Sequence, residues 1–254
     1  MVVYSLVRIK KLLYLAIFFI VLFSFGKSGG LWKSKVILAD TQQPYHGYGH
    51  DVSWPQCDVI KKLPKSDFGI VGVTGGKAFT GNPCLSDEYK WAVSTGSASV
   101  YINLNTNDDS TLDKGFHGPY GDCAEMDIDC QSKNYGFNAA NDAYNYAKSQ
   151  GVVNPQMWWL DIEELNNWSN NLTYNREVID GSTRFFADKG LTIGIYSTPI
   201  MWKDLTGDYK NNLPVWPAVI SNSPSQNCGT GFTGGKIYLI QHNQDELDKN
   251  FACI

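Results

Sequence analysis

Two carboxylic acids stand two residues apart in the segment WWLDIEE, residues 158–164. Alternate side chains of a β-strand point to the same side, so Asp161 and Glu163 would share one face of a strand. Repulsion between such neighbours raises the pKa of one of them, which then keeps its proton. Glycoside cleavage uses this division of roles, because one carboxyl protonates the leaving oxygen while a carboxylate stabilises positive charge on the sugar carbon.

The same acids also fit a structural role. They could cap the N-terminus of a helix that begins after Asn166, where carboxylates accept hydrogen bonds from free backbone N–H groups. Glu164 fits that interpretation as well as it fits a chemical one. Two further acids, Asp51 in the segment HDVSW and Asp248 near the C-terminus, either belong to the same site or cap turns.

Aromatic side chains at or near predicted strand ends are the second kind of candidate. They are Trp54, Tyr101, Trp158, Trp159, Tyr196, Trp202 and Trp216. Flat rings with a polar group suit stacking against sugar faces, although any one of them could instead belong to the core. We expect the substrate-binding set to be Trp54, Tyr101, Trp159, Tyr196 and Trp216, together with Gln241.

Other chemistries are poorly supported. The segment Gly75–Ala78 lacks both the first glycine and the Ser or Thr of a phosphate-binding loop. There is no GxSxG nucleophile elbow. His46 and His50 are four residues apart but lie in a Gly- and Tyr-rich stretch, so we expect no metal site. We also expect no cofactor.

The first 39 residues predict an export segment. Arg8, Lys10 and Lys11 precede an unbroken apolar run over residues 12–23, which is short for a membrane span. The segment is either a cleaved signal peptide or a single-helix anchor, with a buried helix of the domain as the third interpretation. Residues 40–254 would form one extracytoplasmic domain, secreted or held at the cell surface.

Charge argues against nucleic acid as a partner. Removal of residues 1–39 takes away six basic residues and no acidic one, which leaves 15 basic and 25 acidic residues and a formal charge of −10. Proteins that bind nucleic acid carry basic patches instead. We expect a monomer that contacts a membrane only through an uncleaved N-terminal segment.

Six cysteines remain outside that segment, and none has CxxC spacing. An even number in an exported chain predicts three disulfides, for which fifteen pairings exist. Proximity in the sequence favours Cys57–Cys84, Cys123–Cys130 and Cys228–Cys253.

Apolar runs that alternate with helical patterns predict an α/β fold with a mostly parallel sheet. The predicted strands are 50–54, 68–73, 99–104, 157–162, 192–196, 215–220, 237–241 and 246–250. The predicted helices are 85–93, 138–149, 177–189 and 199–205. We expect an irregular TIM-like barrel of about five β/α units followed by three strands. The polar segment 105–136 is predicted to be a long loop held by Cys123 and Cys130.

The chain resembles the glycoside hydrolase family 25 lysozymes from about Gly49 onward. The resemblance is carried, in order, by HDVSWPQC, SVYINLN, WWLDIEE, IGIYSTPIMW, LPVWPAVI, YLIQHN and LDKNF. It is strongest in Asp-Val-Ser, Asp-x-Glu and Gly-Ile-Tyr-Ser. Within that resemblance, a group of exported bacterial proteins with GxDVSWPQC and NPC segments is the most similar. The family implies a barrel that cleaves peptidoglycan between N-acetylmuramic acid and N-acetylglucosamine.

The resemblance also implies roles for individual residues. Glu163 matches the general acid, and Asp161 matches the partner that orients or stabilises the acetamido group of the substrate. Asp51 matches the acid of the first strand, and Asp248 or Asp245 matches the acid near the C-terminus. Tyr101 and Tyr196 match tyrosines of the rim.

One departure from the family concerns the penultimate strand. The family has Trp-Gln-Tyr there, whereas this chain has Ile240-Gln241-His242, which predicts the loss of an aromatic contact to sugar. Two functions therefore stay open. The first is an exported muramidase-like hydrolase, or a glycosidase acting on another acetamido-sugar polymer. The second is a non-catalytic protein that binds cell-wall polysaccharide on a degenerate barrel.

Overall fold

A computed structural model describes residues 43–106, 111–242 and 247–253. The predicted export segment, residues 1–39, and Asp245 lie outside these ranges. Among the described residues, no helix is both long and apolar enough to cross a membrane.

The described residues form the predicted α/β barrel. Its strands are β1 (Tyr48–Val52), β2 (Phe68–Gly72), β3 (Ala98–Asn103), a small hairpin of β4 (His117–Gly118) and β5 (Gly121–Asp122), β6 (Trp158–Asp161), β7 (Ile193–Ser197), β8 (Val215–Pro217), β9 (Leu239–His242) and β10 (Asp248–Ala252). Its α-helices are α1 (Leu85–Thr95), α2 (Ile128–Ser149), α3 (Leu172–Asp188) and α4 (Pro199–Thr206), and short 3₁₀ turns cover Trp54–Lys62, Leu112–Gly115 and Pro224–Asn227. All eight predicted strands are present.

The sheet runs in the order β8-β7-β6-β3-β2-β1-β10-β9. Strands β1, β2, β3, β6, β7 and β8 run parallel to one another, whereas β10 is antiparallel to both β1 and β9. Parallel bridges from Val215 to Ile237 and from Ala218 to Gln241 join β8 to β9 and nearly close the barrel. The five predicted β/α units are confirmed, with a 3₁₀ turn in place of the first helix.

Alternation along each strand divides the core into two parts. Phe68, Ile70 and Trp159 point into the barrel and pack with the inward residues of the other strands. Leu160 and Ile195 point outward and pack against the helices. The strands are therefore apolar on both faces, which is why their sequences show continuous apolar runs.

Helices α2 and α3 approach each other unusually closely. A Cβ atom on Gly136 would lie 1.9 Å from the carbonyl oxygen of Val178, and one on Gly181 would lie 2.1 Å from that of Lys133. Only glycine fits at these two positions, so the pair fixes how the two helices cover β3 and β6.

The polar segment 105–136 is only partly a loop, which corrects the prediction. Helix α2 begins at Ile128, where the Asp127 carboxylate accepts a hydrogen bond from the Cys130 N–H at 3.1 Å. The first turns of α2 carry buried amide side chains, so the sequence there is polar although it is helical. Gln131 donates to the carbonyl oxygens of Ala124 and Glu125 at 2.6 and 2.8 Å, and thereby ties the preceding loop to the helix.

The three predicted disulfides are confirmed. Cys57–Cys84 joins the turn after β1 to the start of α1, and Cys123–Cys130 closes the loop before α2. Cys228–Cys253 ties the segment before β9 to the end of β10.

Candidate active site

The four predicted acids meet at one edge of the barrel. Asp51 lies near the end of β1, Asp161 ends β6, and Glu163 follows it two residues later. Asp248 begins β10 and faces Asp51 directly across the ladder. Because β10 runs antiparallel to its neighbours, it starts at the edge where the parallel strands end. This edge is where catalytic groups collect in β/α barrels.

Burial and mutual repulsion disfavour the charged forms of these acids. Burial raises the pKa of Asp161 well above its usual range, and the charges of Glu163 and Asp51 raise it further. Burial likewise raises the pKa of Glu163, to which the charge of Asp248 adds. Burial and then Asp248 raise the pKa of Asp51 to about 7. At neutral pH the cluster therefore retains protons that isolated carboxylates would release.

Asp51 is the acid best equipped to hold a negative charge. Its Oδ2 accepts a hydrogen bond from Asn250 Nδ2 at 2.6 Å, and Gln241 Nε2 lies 3.1 and 3.3 Å from its two oxygens. Asn250 is oriented in turn by Trp216, whose indole N–H donates to Asn250 Oδ1 at 2.7 Å. Because an indole nitrogen can only donate, the amide group of Asn250 must face Asp51.

Asp161 is held by a different pair of polar side chains. Its Oδ2 accepts a hydrogen bond from Asn103 Nδ2, and Asn103 lies beside it in the ladder between β3 and β6. The Thr74 hydroxyl donates to Asn103 Oδ1 at 2.6 Å, which fixes the orientation of that amide. Among the residues that the structure describes, Oδ1 of Asp161 is buried without a hydrogen-bond partner. Such an oxygen is costly unless a donor reaches it.

Two tyrosines complete the floor of the site. Tyr196 neighbours Asp161 in the ladder and donates to Gln241 Oε1 at 2.8 Å. Its hydroxyl also lowers the pKa of Glu163, against the larger effect of burial. Tyr101 fills the space that Gly72 leaves free, since a Cβ there would lie 2.7 Å from the ring. Burial, followed by the surrounding carboxylates, raises the pKa of both phenols, so both keep their protons.

The acids do not cap a helix. Helix α3 begins at Leu172, and its cap is Asn171, whose side chain accepts from the Thr173 N–H at 3.0 Å. Asp161 and Glu163 precede it by several residues, and the Glu163 carbonyl oxygen accepts a hydrogen bond from the Trp168 indole. Glu164 is exposed to solvent.

The tryptophans divide into two groups. Trp54, half-exposed on the turn after β1, lies at the active-site edge. Trp159 and Trp216 are fully buried inside the barrel, where the Trp159 indole donates to the Tyr45 hydroxyl. The structure therefore does not bring these two rings to a surface that sugar could reach, and Trp158 and Trp202 are core residues as well. Trp216 acts on the site indirectly, because its indole orients Asn250, which donates to Asp51.

Sequence reasoning missed three buried polar residues of the site: Thr74, Asn103 and Asn250. Each carried a recognisable signal. Thr74 and Asn103 end the apolar runs of β2 and β3 at the edge where Asp161 ends β6, and Asn250 shares a strand face with Asp248. Small polar residues at these strand ends are the natural hydrogen-bond partners of buried carboxylates.

One group of potential metal ligands lies close together within the described ranges. It comprises Cys57, Cys84 and the buried Glu88. The two sulfurs form a disulfide, so neither is a thiolate able to bind a metal ion.

Comparisons with known proteins agree with the fold. The profile of the family described as Lysozyme-like protein 1 matches residues 120–232. Among curated proteins, none is significantly similar in sequence.

Solved structures of cell-wall lytic proteins share the barrel. The catalytic domain of endolysin ply40, from bacteriophage P40 of Listeria monocytogenes, aligns with a TM-score of 0.53 and 16% identity over 84% of this chain and 95% of that one. The muramidase from Acremonium alcalophilum aligns with a TM-score of 0.52 and 19% identity, over 82% and 93%. The bacterial lysozyme from Streptomyces coelicolor aligns with a TM-score of 0.50 and 16% identity, over 82% and 93%. The barrel has the fold of the glycoside hydrolase family 25 lysozymes.

The departure from the lysozyme pattern on β9 has a structural explanation. Gln241 points into the barrel, where it contacts Asp51 and Tyr196. Ile240 and His242 alternate with it and point to the opposite face, where the imidazole lies 6.2 Å from the Tyr48 ring. The two positions therefore face away from the cluster of acids, whereas Gln241 faces it.

Proposed function

We propose that this chain is an extracytoplasmic glycosidase that cleaves the glycan strands of peptidoglycan, as a muramidase does. The observation that carries the proposal is the meeting of Asp51, Asp161, Glu163 and Asp248 at one barrel edge, where Tyr196 neighbours Asp161. Glycoside cleavage needs an acid that keeps its proton near neutral pH and a second group that stabilises the developing positive charge. Burial raises the pKa of Glu163, which supports the first requirement.

In this proposal Glu163 is the general acid. It is partly buried just after the end of β6, at the edge where the other acids meet, from which its carboxyl would protonate the glycosidic oxygen. Asp161 is the partner that receives the acetamido group of the substrate. Its unpartnered Oδ1 would accept a hydrogen bond from the acetamido N–H, and that bond favours the ionised carboxylate in the complex.

The partner of the protein would be cell-wall polysaccharide. The solved structures that share the barrel include a muramidase, a lysozyme and the catalytic domain of an endolysin, which supports a peptidoglycan substrate. Three disulfides support an oxidising compartment outside the cytoplasm. The proposed roles of the side chains require no cofactor.

Release of new reducing ends from purified peptidoglycan tests the proposal. The parent protein should release them, and Glu163→Gln should lose about a hundredfold or more of the rate, because the amide cannot donate the proton. The matched control is Glu164→Gln, which changes the adjacent exposed acid and should leave the rate unchanged. Circular dichroism should show that both variants fold.

The alternative, a wall-binding protein without turnover, predicts a different result. It predicts co-sedimentation with peptidoglycan that is equal in the parent and Glu163→Gln, without new reducing ends from any wall substrate. That combination would reject the enzymatic proposal.

A further inference from the structure

A buried acid faces a disulfide near the start of α1. The Glu88 side chain is fully buried, and its Oε1 lies 3.3 Å from Sγ of Cys84, which is bonded to Cys57. A disulfide sulfur carries no hydrogen, so it cannot donate to this oxygen. Among the residues that the structure describes, Asn82 is the one donor that reaches the Glu88 carboxyl, with its Nδ2 2.6 Å from Oε2. A carboxyl in these surroundings keeps its proton, and burial raises its pKa to about 7.

Asn82 determines which oxygen of Glu88 carries that proton. The two amide hydrogens of Asn82 go to the Gly72 carbonyl oxygen at 2.8 Å and to Glu88 Oε2, and its Oδ1 accepts from the Cys84 N–H at 3.1 Å. Asn82 is itself fully buried, so this arrangement is fixed. A hydroxyl on Oε2 would meet the NH₂ group of Asn82. The proton therefore lies on Oε1 and points to the Cys84 sulfur.

The other cysteine of the pair lines a cleft of about 630 Å³. The residues that line the cleft are Cys57, Asp58, Ile60, Lys61, Lys62 and Asp87. Asp87 is paired with Lys90 at 2.7 Å, so the remaining charges are those of two lysines and one aspartate. This local charge is positive in a domain whose formal charge is negative, and it suits the anionic thiolate form of a small thiol.

Cys84 is suited to leave as a thiolate. It is the N-cap residue of α1, and the partial positive charge of a helix N-terminus lowers the pKa of a thiol. In thiol–disulfide exchange, a leaving sulfur of low pKa departs faster. We propose that Cys57–Cys84 is a redox-active disulfide, which a small dithiol reduces by attack on Cys57 while Glu88 gives a proton to Cys84. This disulfide lies outside the cluster of acids, so its chemistry does not depend on the proposed function.

The reduction balances in two steps. A thiolate of the dithiol forms a new S–S bond with Cys57, the Cys57–Cys84 bond breaks, and its electron pair leaves on the Cys84 sulfur. Glu88 transfers its proton to that sulfur and becomes a carboxylate. The second thiolate of the dithiol then displaces Cys57, so the dithiol is oxidised to a disulfide and both cysteines are reduced to thiols. The two protons that the dithiol releases to solvent equal those that Cys57 and Glu88 take up from it.

Reduction would release the 3₁₀ turn Trp54–Lys62. None of the side chains of this turn is buried, so the disulfide is its covalent tie to the start of α1. The turn carries the half-exposed Trp54 at the active-site edge. Thiol–disulfide exchange at Cys57 would therefore change how firmly that edge is held.

The disulfide Cys123–Cys130 is an internal control. Both of its cysteines are also partly exposed, but the polar group beside it is an amide, with Asn134 Nδ2 3.0 Å from Cys123 Sγ. An amide gives no proton to a leaving thiolate. Folded protein is treated with dithiothreitol at about pH 6, where Glu88 keeps its proton, then quenched with acid and alkylated with N-ethylmaleimide. Mass mapping of the alkylated cysteines against time gives one rate of reduction for each disulfide.

Glu88→Gln separates proton transfer from packing, because the amide keeps the shape and stays neutral but has no proton to give. Reduction of Cys57–Cys84 should slow by about tenfold, less than is typical for loss of a general acid because the helix terminus already favours the leaving thiolate. The rate at Cys123–Cys130 should stay as in the parent, and circular dichroism checks that the variant is folded.

A measurement on the parent tests the proton donor without a substitution. The rate constant per dithiothreitol thiolate should fall at Cys57–Cys84 as pH rises through about 7, where Glu88 loses its proton, and should stay constant at Cys123–Cys130. Three results would overturn the proposal: resistance of Cys57–Cys84 to dithiothreitol in the folded parent, a rate in Glu88→Gln that equals or exceeds that of the parent, or the same pH dependence at both disulfides.

Discussion

Asp51 and Asp248 face each other as directly paired residues of β1 and β10. Two acids in this position repel each other when both are ionised. They are paired because β10 runs antiparallel to β1. The negative charge of Asp248 is the second cause, after burial, of the rise in the pKa of Asp51 to about 7. Asp248 thereby affects the charge of Asp51, which the two amides of Gln241 and Asn250 stabilise.

Replacement of Asp248 by asparagine should lower the pKa of Asp51. The substitution removes a neighbouring negative charge and keeps the shape of the side chain, so the ionised form of Asp51 becomes easier to reach. Carbon-13 titration of labelled aspartate measures the change. If turnover requires an ionised Asp51, the acidic limb of the pH–rate profile moves to lower pH as well. Asp58→Asn, on the exposed turn after β1, should have no effect on Asp51. An unchanged Asp51 midpoint in Asp248→Asn would show that the two carboxyls do not interact.

The sequence was sufficient to predict that three acids of the site lie together at one edge of the barrel. Asp51, Asp161 and Glu163 lie at ends of apolar runs, and parallel strands bring their ends to one edge, so their proximity follows from the pattern. The pairing of Asp51 with Asp248 could not be predicted in this way. It depends on β10 entering the sheet antiparallel between β1 and β9, which is a long-range choice that no local pattern encodes.

Other features could not be predicted because the same residue type can be either buried or exposed. Trp159 and Trp54 both lie near strand ends, but inward alternation buries the first and a turn exposes the second. The buried amides of α2 made a helix look like a polar loop, since Gln131 bonds to the preceding loop instead of to water. Burial, which decides these cases, is a property of the assembled fold.

Removal of the Thr74 hydroxyl should lower both stability and activity, because it orients Asn103. In Thr74→Val the shape is kept, but Asn103 loses the donor that fixes its amide toward Asp161. We expect the free energy of unfolding to fall by about 1–3 kcal/mol, as for a buried acceptor left unpaired. The rate of peptidoglycan cleavage should fall by about tenfold, the equivalent of about 1.4 kcal/mol in transition-state binding.

Urea unfolding and initial rates measure the two effects of that substitution. Thr74→Ser keeps the hydroxyl and should restore most of the rate although it loses a methyl group. Equal rates in the valine variant and the parent would mean that Asn103 holds Asp161 without help from Thr74.

Glu88 should make the fold less stable as pH rises. It is fully buried at the start of α1, and burial raises its pKa from 4.5 to about 7, against the hydrogen bond from Asn82. A folded pKa above the unfolded one means that the native state binds the extra proton between these values. The free energy of unfolding therefore falls as pH rises from 4.5 to 7, by up to about 3 kcal/mol for this group.

Glu88→Gln removes that dependence, because an amide needs no proton to stay neutral and can still accept from Asn82. The variant should be more stable than the parent at pH 8 and nearly equal to it at pH 4, as measured by urea unfolding with the disulfides intact. The exposed Glu164→Gln provides the comparison and should match the parent at both values. A stabilisation of Glu88→Gln that is the same at pH 4 and pH 8 would point to packing as the cause, and not to ionisation.

The disulfide at the end of β10 should contribute more stability than the one before α2. Cys228–Cys253 spans 25 residues, whereas Cys123–Cys130 spans 7. In the chain-entropy account the longer loop constrains the unfolded chain more, so its loss should cost about 1 kcal/mol more. It also holds the strand that carries Asp248 and Asn250, so its removal should broaden the Asp51 titration. Urea unfolding of the two double-serine variants, with mass mapping of the remaining disulfides, measures the difference. Equal costs would mean that strain or residual structure in the unfolded chain outweighs loop length.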